Sequence, residues 1–284
     1  MIDLLEVEFK GNRKVIYSNP EEVQLQLGDF VVVNVEKGKD MGEVVNLGRL
    51  VALKSIDYSP KSMVRKSSES EIHELSKVRL DEDAAGIFCK QKVADLSLAM
   101  KIVDVEMQYD RSKMVFYFTS DGRVDFRELV KQLAAKYKTR IELKQIGVRD
   151  EARRVKGCGK CGRTLCCSSH IKEFEPITTQ YAKDQNLPLN PGKLSGVCGR
   201  LMCCLSYERD YYQETLKKFP TLDARIRVNN KNASVIKIDV FNQALTIRTV
   251  ADEYIEMSLD EFNEMIAEQK LEHDKKHHPE KTEK

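Results

Sequence analysis

The sequence predicts an α+β fold, a two-layer α/β sandwich flanked by small β-barrel-like modules, with an irregular Cys-rich segment. Three observations carry this. Both ends of the chain hold short apolar runs of strand length punctuated by turn residues. Between 72 and 148 the hydrophobic pattern alternates between helical and strand periods in the order α-β-β-α-β. From 155 to 206 no long periodic run occurs, and six glycines and three prolines break the backbone.

At 284 residues the chain exceeds the size of one core. The expected organisation is a β-barrel-like module over 1–58, the sandwich over 59–154 and the Cys-rich segment with a following helix over 155–220. A second β-barrel-like module follows over 221–258, then a short helix and a disordered charged tail over 259–284.

Element by element, "LLEVEFK", "RKVIYS", "GDFVVVNVEKG" and "GEVVNLGRLVAL" read as strands of a curved sheet, and the Ser-rich stretch 59–71 as a connector. Cys89, Val93, Leu96 and Met100 fall on one helical stripe, where Cys89 serves as a small buried hydrophobe. Val103, Val105 and Met107 alternate with Asp104, Glu106 and Gln108 before the apolar run "MVFYF", giving a hairpin with one polar wall. Asp125 and Glu128 make a D-x-x-E helix start, and Phe126, Leu129, Val130, Leu133, Ala134 and Tyr137 keep helical period. "RIELKQIGV" closes this unit as a strand. "YERDYYQETLKKF" reads as a helix; "ARIRVN", "ASVIKIDVF" and "ALTIRTV" read as strands, with "NNKN" as a turn. Ser258 and Glu261 form a capping box for a last helix whose Phe262, Met265 and Ile266 share a face. The final dozen residues, with His273, His277 and His278, have no apolar pattern.

Lys plus Arg is 47 and Asp plus Glu is 45, a formal charge of +2 that argues for no polyanion partner by itself. The first residues lack the apolar core of a signal peptide, and no run of about 18 uncharged apolar residues occurs, so a cytoplasmic location is expected. Clustered cysteines in a reducing compartment are metal ligands or reactive thiols more often than disulfides.

Six of the eight cysteines lie in "CGRTLCC" (161–167) and "CGRLMCC" (198–204), two copies of one pattern 37 positions apart. Such a repeat reads as two half-sites that supply the same ligands. Cys161, Cys166, Cys198 and Cys203 then give the thiolate count of one cubane iron-sulfur cluster or one tetrahedral zinc. The four-residue gap inside each copy favours iron-sulfur, whereas Cys158-x-x-Cys161 is a zinc-like spacing. Cys167 and Cys204 follow a ligand directly and so look elsewhere: toward a second centre completed by another chain, or toward burial as inert thiols. Arg163 and Arg200 stand beside the thiols, either as donors to an anionic cluster or as partners of surface carboxylates. His170 has no counterpart in the second copy and is left out of the site. Residues 136–163 carry ten Lys or Arg against three acids, an excess that suits RNA or an acidic protein surface, or simply a solvated face.

With the doubled CGRxxCC motif the sequence resembles the YaaT or RicT family, whose members share the PSP C-terminal domain. The likeness runs from "GDFVVVNVEKGKDMGEVV" through "VDFRELVKQLAAKYKTRIELKQIGVRDEARRVKGCGKCGRTLCC" to "KLSGVCGRLMCCLSYE". It implies a non-enzymatic regulator that carries 4Fe-4S clusters and acts with two small helical partners, RicA/YmcA-like and RicF/YlbF-like. It further implies roles in sporulation, competence and biofilm formation, linked to the phosphorelay and to messenger-RNA maturation by RNase Y. The family's cysteine pattern is complete at Cys161, Cys166, Cys167, Cys198 and Cys203, and the resemblance favours Cys167 as the thiol shared with a partner-bound second cluster. Two other readings compete with it. One is a zinc-stabilised RNA-binding module; the other is a thiol redox enzyme, for which no P-loop string occurs and no G-x-G-x-x-G dinucleotide fingerprint is expected.

Overall fold

The apolar run "FVVV" is continuous because both of its faces are covered. Val31 and Val33 point into a closed five-stranded barrel, while Val32 on the outer wall packs with Leu75 of the first long helix. The computed structural model that shows this describes residues 3–48, 51, 61–228 and 231–277, and its fold is α+β. By contacts it divides into two units, 1–172 with 197–200, and 173–196 with 201–284.

In the first unit the barrel strands are β1 (Asp3–Phe9), β2 (Arg13–Asn19), β3 (Phe30–Asn34), β4 (Lys39–Leu47) and β5 (Lys61–Lys66), in the order β1-β2-β5-β3-β4. Leu5, Val7, Tyr17, Val44 and Met63 fill the interior with Val31 and Val33. Strand β5 corrects the reading of 59–71 as a connector. It buries only Met63 fully, so its sequence shows almost no apolar alternation, yet it closes the barrel beside β2 and β3. The expected strand residues 49, 50, 52 and 53, and the rest of this module to 58, lie outside the described residues.

Helix α1 (Glu69–Asp95) begins with a capping box between Ser68 and Glu71. Hydrogen bonds from Arg65 and from Ser68 hold the Glu71 carboxyl down at about 2. The helix is longer than its apolar stripe announced. Leu75, Val78, Glu82, Ala85, Cys89 and Val93 face inward, whereas Leu96 is the C-cap and Met100 lies beyond it. Glu82 hid the pattern: this buried carboxylate accepts from Lys10, Arg79 and the Met107 amide at 2.7–2.9 Å.

Beneath α1 lie β6 (Lys101–Met107), β7 (Lys113–Thr119), α2 (Arg127–Tyr137) and β8 (Arg140–Gln145), with strand order β6-β7-β8 and β8 parallel to β7. Val78, Cys89, Leu129, Leu133, Phe116 and Phe118 form the core between helices and sheet, so Cys89 is the buried hydrophobe expected. Burial pushes its thiol up to about 12. Two local readings change. A bulge between Ile102 and Asp104 replaces Val103 with Ile102 on the buried face, and Asp125 accepts from Arg127 rather than forming a box with Glu128. Helices α3 (Val148–Val155) and α4 (Cys166–Ser169) complete this unit.

The second unit begins with α5 (Thr179–Asp184), α6 (Pro191–Leu194), α7 (Cys204–Tyr207) and α8 (Arg209–Leu216), packed around Ala182, Leu194 and Leu205. A four-stranded antiparallel sheet follows: β9 (Arg225–Val228), β10 (Lys231–Asp239), β11 (Ala244–Thr249) and β12 (Tyr254–Ser258), the last not anticipated. Helix α9 (Leu259–His277) covers the sheet with Leu259 and Phe262. Its capping box is present, Ser258 and Glu261 each accepting from the other's amide. The helix continues through His273 to His277, where a disordered tail was expected, because "AEQKLEHDKK" is built from strong helix formers. The turn residues Asn229 and Asn230, and the tail from His278 onward, lie outside the described residues.

Candidate functional site

The cysteine segment starts from a fixed point. Arg154, one residue before the end of α3 and 10% exposed, donates to Asp104 at 2.8 Å and Glu106 at 2.6 Å, and lies 3.5 Å over the Tyr117 ring. The polar wall of the hairpin is therefore an anchor and not a solvated face. Burial first, and Glu106 second, push the Tyr117 hydroxyl up to about 12. Helix α3 was missed in the sequence reading. Its one local signal is the arrangement of Asp150 and Glu151 in the first turn and Arg153 and Arg154 in the last, which complements the helix dipole. Farther on, Asn12 donates to the Ser168 carbonyl at 2.7 Å and ties α4 to the barrel.

Between these anchors the chain folds into a knuckle, and residues 194–207 repeat it. Cys158 pairs with Thr164 as an isolated antiparallel bridge, and Ser195 pairs with Leu201 in the same way, at matching places in the repeat. The Leu165 amide donates to the Gly157 carbonyl at 3.1 Å, and the Met202 amide to that of Leu194 at 2.9 Å. The doubled cysteines then enter a one-turn helix in each copy, α4 and α7, where His170 and Tyr207 donate to the carbonyls of Cys166 and Cys203, each at 3.1 Å. Gly162 and Gly199 sit at φ +78° and +75°, the left-handed conformation the loop needs after its first cysteine. A Cβ at either glycine would meet nothing within 4 Å, so the cost of adding one is purely conformational. Gly162→Ala and Gly199→Ala are each expected to lower stability by about 1 kcal/mol. Urea unfolding checks this; unchanged midpoints would mean that the left-handed turn is not required.

Cys158 and Cys161 are exposed, while Cys166, Cys167, Cys198, Cys203 and Cys204 are half-buried. Among the described residues, which include all eight cysteines, none is joined in a disulfide. Cys161, Cys166, Cys167 and Cys198 belong to the first unit, Cys203 and Cys204 to the second. Burial raises the Cys167 thiol above its ordinary 9.0; Cys198 and Cys166 add to this, while Arg153 opposes it. Cys167 thus lies within electrostatic reach of both Cys166 and Cys198. The described residues hold no group of three or more His, Cys, Asp or Glu side chains arranged to bind a metal ion. What fits a thiolate-bound metal is the donor chemistry and the doubled knuckle backbone.

Arg163 and Arg200 are both exposed, and neither forms an ion pair among the described residues. His170 accepts or donates through Nδ1 to Ser169 at 2.9 Å. The basic run 136–163 does not form one face. It is spread over α2, β8 and α3, with Arg154 buried, Arg140 and Arg153 paired to Glu142 and Asp150, and Lys136 over the Phe88 ring. The letters G-x-G-x-x-G do occur, at Gly157, Gly159 and Gly162, which corrects the expectation that they were absent. They follow a helix and form the knuckle, whereas a dinucleotide loop follows a strand and opens a helix.

The second unit also exposes aromatic rings. Tyr211 stacks on Phe241 at 5.7 Å, and Tyr212 meets Phe241 edge-on at the same distance. Tyr211 is 50% and Phe241 66% exposed. Burial raises the Tyr212 hydroxyl, with Cys204 among the smaller causes, so the rings reach the neighbourhood of the second thiol pair.

Two family models match. The PSP1 C-terminal conserved region covers residues 61–146, and the third domain of PSP1-like proteins covers 176–219. Stage 0 sporulation protein YaaT of Bacillus subtilis is 40% identical over 255 residues, which span 90% of this chain and 93% of that protein. The chain belongs to the YaaT family.

Two fungal proteins share parts of this sequence. An uncharacterised protein of Schizosaccharomyces pombe is 32% identical over 170 residues, half of this chain and 23% of its own length. Protein PSP1 of Saccharomyces cerevisiae is 50% identical over 46 residues, 16% of this chain and 6% of its own. No solved structure matches. In this fold, the first matched region runs from β5 to the end of β8, and the second holds α5 to α8 with the second knuckle. The first knuckle lies between the two. None of the described helices is long and apolar enough to cross a membrane.

Proposed function

We propose that this protein is a non-enzymatic iron-sulfur regulatory adaptor, one subunit of a cytoplasmic three-protein complex. The observation that carries this reading is the doubled knuckle, which presents the same thiol pattern twice on the same backbone. Cys161, Cys166, Cys198 and Cys203 are the ligands of one 4Fe-4S cluster, and Cys167 contributes to a second cluster shared with a partner. When bound, such a cluster supplies structural cross-linking and a redox-sensitive charge. The chain's own contribution is to hold the thiols: Arg154 and Asn12 fix the two ends of the first knuckle, and Arg163 and Arg200, free of carboxylates among the described residues, remain available as donors to cluster sulfur.

The role in cell-fate control rests on the relative named for stage 0 sporulation and on the family resemblance. The finer reading is promotion of sporulation, competence and biofilm formation through the phosphorelay and RNase Y-dependent messenger-RNA maturation, together with the RicA/YmcA-like and RicF/YlbF-like partners. The exposed rings Tyr211 and Phe241 offer a partner an apolar surface beside the thiols. A second reading, a zinc-stabilised RNA-binding module, is favoured by one observation: Cys158-x-x-Cys161 closes the first knuckle in a zinc-like spacing, whereas the second copy has Ser195 in place of Cys158.

Metal analysis of anaerobically purified protein separates the two. Iron and acid-labile sulfide in about equal amounts, about four of each per cluster, are expected. A colourless protein with one tightly held zinc and no sulfide would replace the first reading by the second.

A further inference from the structure

The sheet of the second unit carries a second surface that the thiols do not use. Register places Arg225 opposite Ser234, Ser234 opposite Arg248 and Arg248 opposite Tyr254, so these four side chains form one rung across all four strands on the same face. Strand spacing makes that rung roughly 14 Å long. The next rung sets Arg227 opposite Asn232, whose carbonyl accepts from the Val250 amide. The alternate residues Ile226, Ala233, Val235 and Ile247 go into the core, so the arginines are on the outward face by strand period and not by chance. A cleft of about 720 Å³ at this end of the sheet takes its lining from both sides of the strands, Arg225, Arg227 and Arg248 on one and Ala233, Thr249 and Ile266 of α9 on the other, so it borders the arginine face without lying on it.

The charges on this face are poorly neutralised. Arg225 and Arg227 have no acidic partner among the described residues. Arg248 reaches Asp252 only at 4.0 Å, and both are at least half exposed. Lys231 meets Glu253 at 3.8 Å, while Glu256 stands one rung beyond, opposite Thr246. Tyr254 is 65% and Val250 79% exposed, so a flat ring and an apolar side chain lie in water beside guanidinium groups.

We propose that this face binds single-stranded RNA. Guanidinium groups pair with phosphate oxygens, an exposed ring next to them stacks a base, and Ser234 and Asn232 lie between them as partners for a 2′-hydroxyl. An acidic protein would satisfy the arginines but gives no reason for the ring beside them, and a duplex keeps its bases stacked away from it. The proposal does not depend on the iron-sulfur reading, because these strands carry no cysteine.

Full-length protein is titrated into a fluorescein-labelled 20-nucleotide pyrimidine-rich RNA, with anisotropy read between 50 and 200 mM salt. Arg225→Ala/Arg248→Ala is expected to weaken binding at least ten-fold and to reduce the slope of log affinity against log salt by about 1.4. Tyr254→Ala weakens binding about ten-fold with the slope unchanged. Lys131→Ala, an exposed change in the first unit, leaves both unchanged. Thermal melts confirm folding, and Arg225→Gln/Arg248→Gln reports the same quantity should the alanine pair misfold. No binding by the parent protein at 50 mM salt, equal affinity for DNA of the same sequence, tighter binding of the duplex, or variants that match the parent would each overturn the proposal.

Discussion

On the proposed iron-sulfur reading, Cys198→Ser is expected to abolish the cluster chromophore almost completely, and Cys161→Ser, Cys166→Ser and Cys203→Ser to do the same. A hydroxyl is a far poorer ligand for iron than a thiolate, so a site left with three of its four thiolates holds a cluster only weakly. The change reaches the fold as well. Metal ligation is coupled to the ordering of the ligand loop, so residues 155–206 of each variant should be cut by protease faster than those of the parent. The barrel, the sandwich and the second sheet each bury a core of their own, so the variants should remain folded outside this segment. Cys167→Ser is expected to spare the internal cluster and to impair only the complex with partners. The opposite outcome is a specific alternative, since Cys167 has Cys166 and Cys198 as neighbours. Loss of iron from Cys167→Ser, with iron retained by Cys203→Ser, would move Cys167 into the internal ligand set and Cys203 out of it.

Arg154→Ala should destabilise the protein by about 3 kcal/mol. Asp104 and Glu106 would lose a common partner from a largely buried place, and Tyr117 would lose the guanidinium packed on its face. The cost stays near the lower end of the range for broken buried pairs because the two acids keep other contacts: Asp104 with Lys10 at 3.0 Å and Glu106 with the Tyr117 hydroxyl at 3.0 Å. Helix α3 would be released first, and with it the entry to the first knuckle. Urea unfolding gives the magnitude, and hydrogen exchange should show protection lost at 148–170 before it is lost in the sheet. A variant within about 0.5 kcal/mol of the parent would show that the cysteine segment is held by something other than this anchor.

These two expectations draw on different kinds of information. The thiols were legible in the sequence because a repeated ligand pattern is a local feature: spacing along the chain sets how far apart donors on one loop can lie. The helix of 127–137, the buried Cys89 and the capping box at Ser258 were legible for the same reason, each being a pattern within one or two turns. The anchor was not. Arg154 reads as one of ten positive charges in a basic run, and only the placement of β6 and β7 beneath α3 turns it into the partner of two half-buried acids.

Sequence alone therefore determined the α+β class, the succession of most elements and the candidate ligands, since hydrophobic period and residue chemistry act within a short stretch of chain. Tertiary structure decided that the polar segment 61–66 closes the barrel, that β8 runs parallel to β7, and that Glu82 is buried, and Arg154 half-buried, among opposite charges. It also decided that three arginines and a tyrosine share one face of the second sheet. Each of these depends on which distant strand or helix supplies the neighbour. Pairing across tens of residues leaves no periodic trace in the segment that receives it.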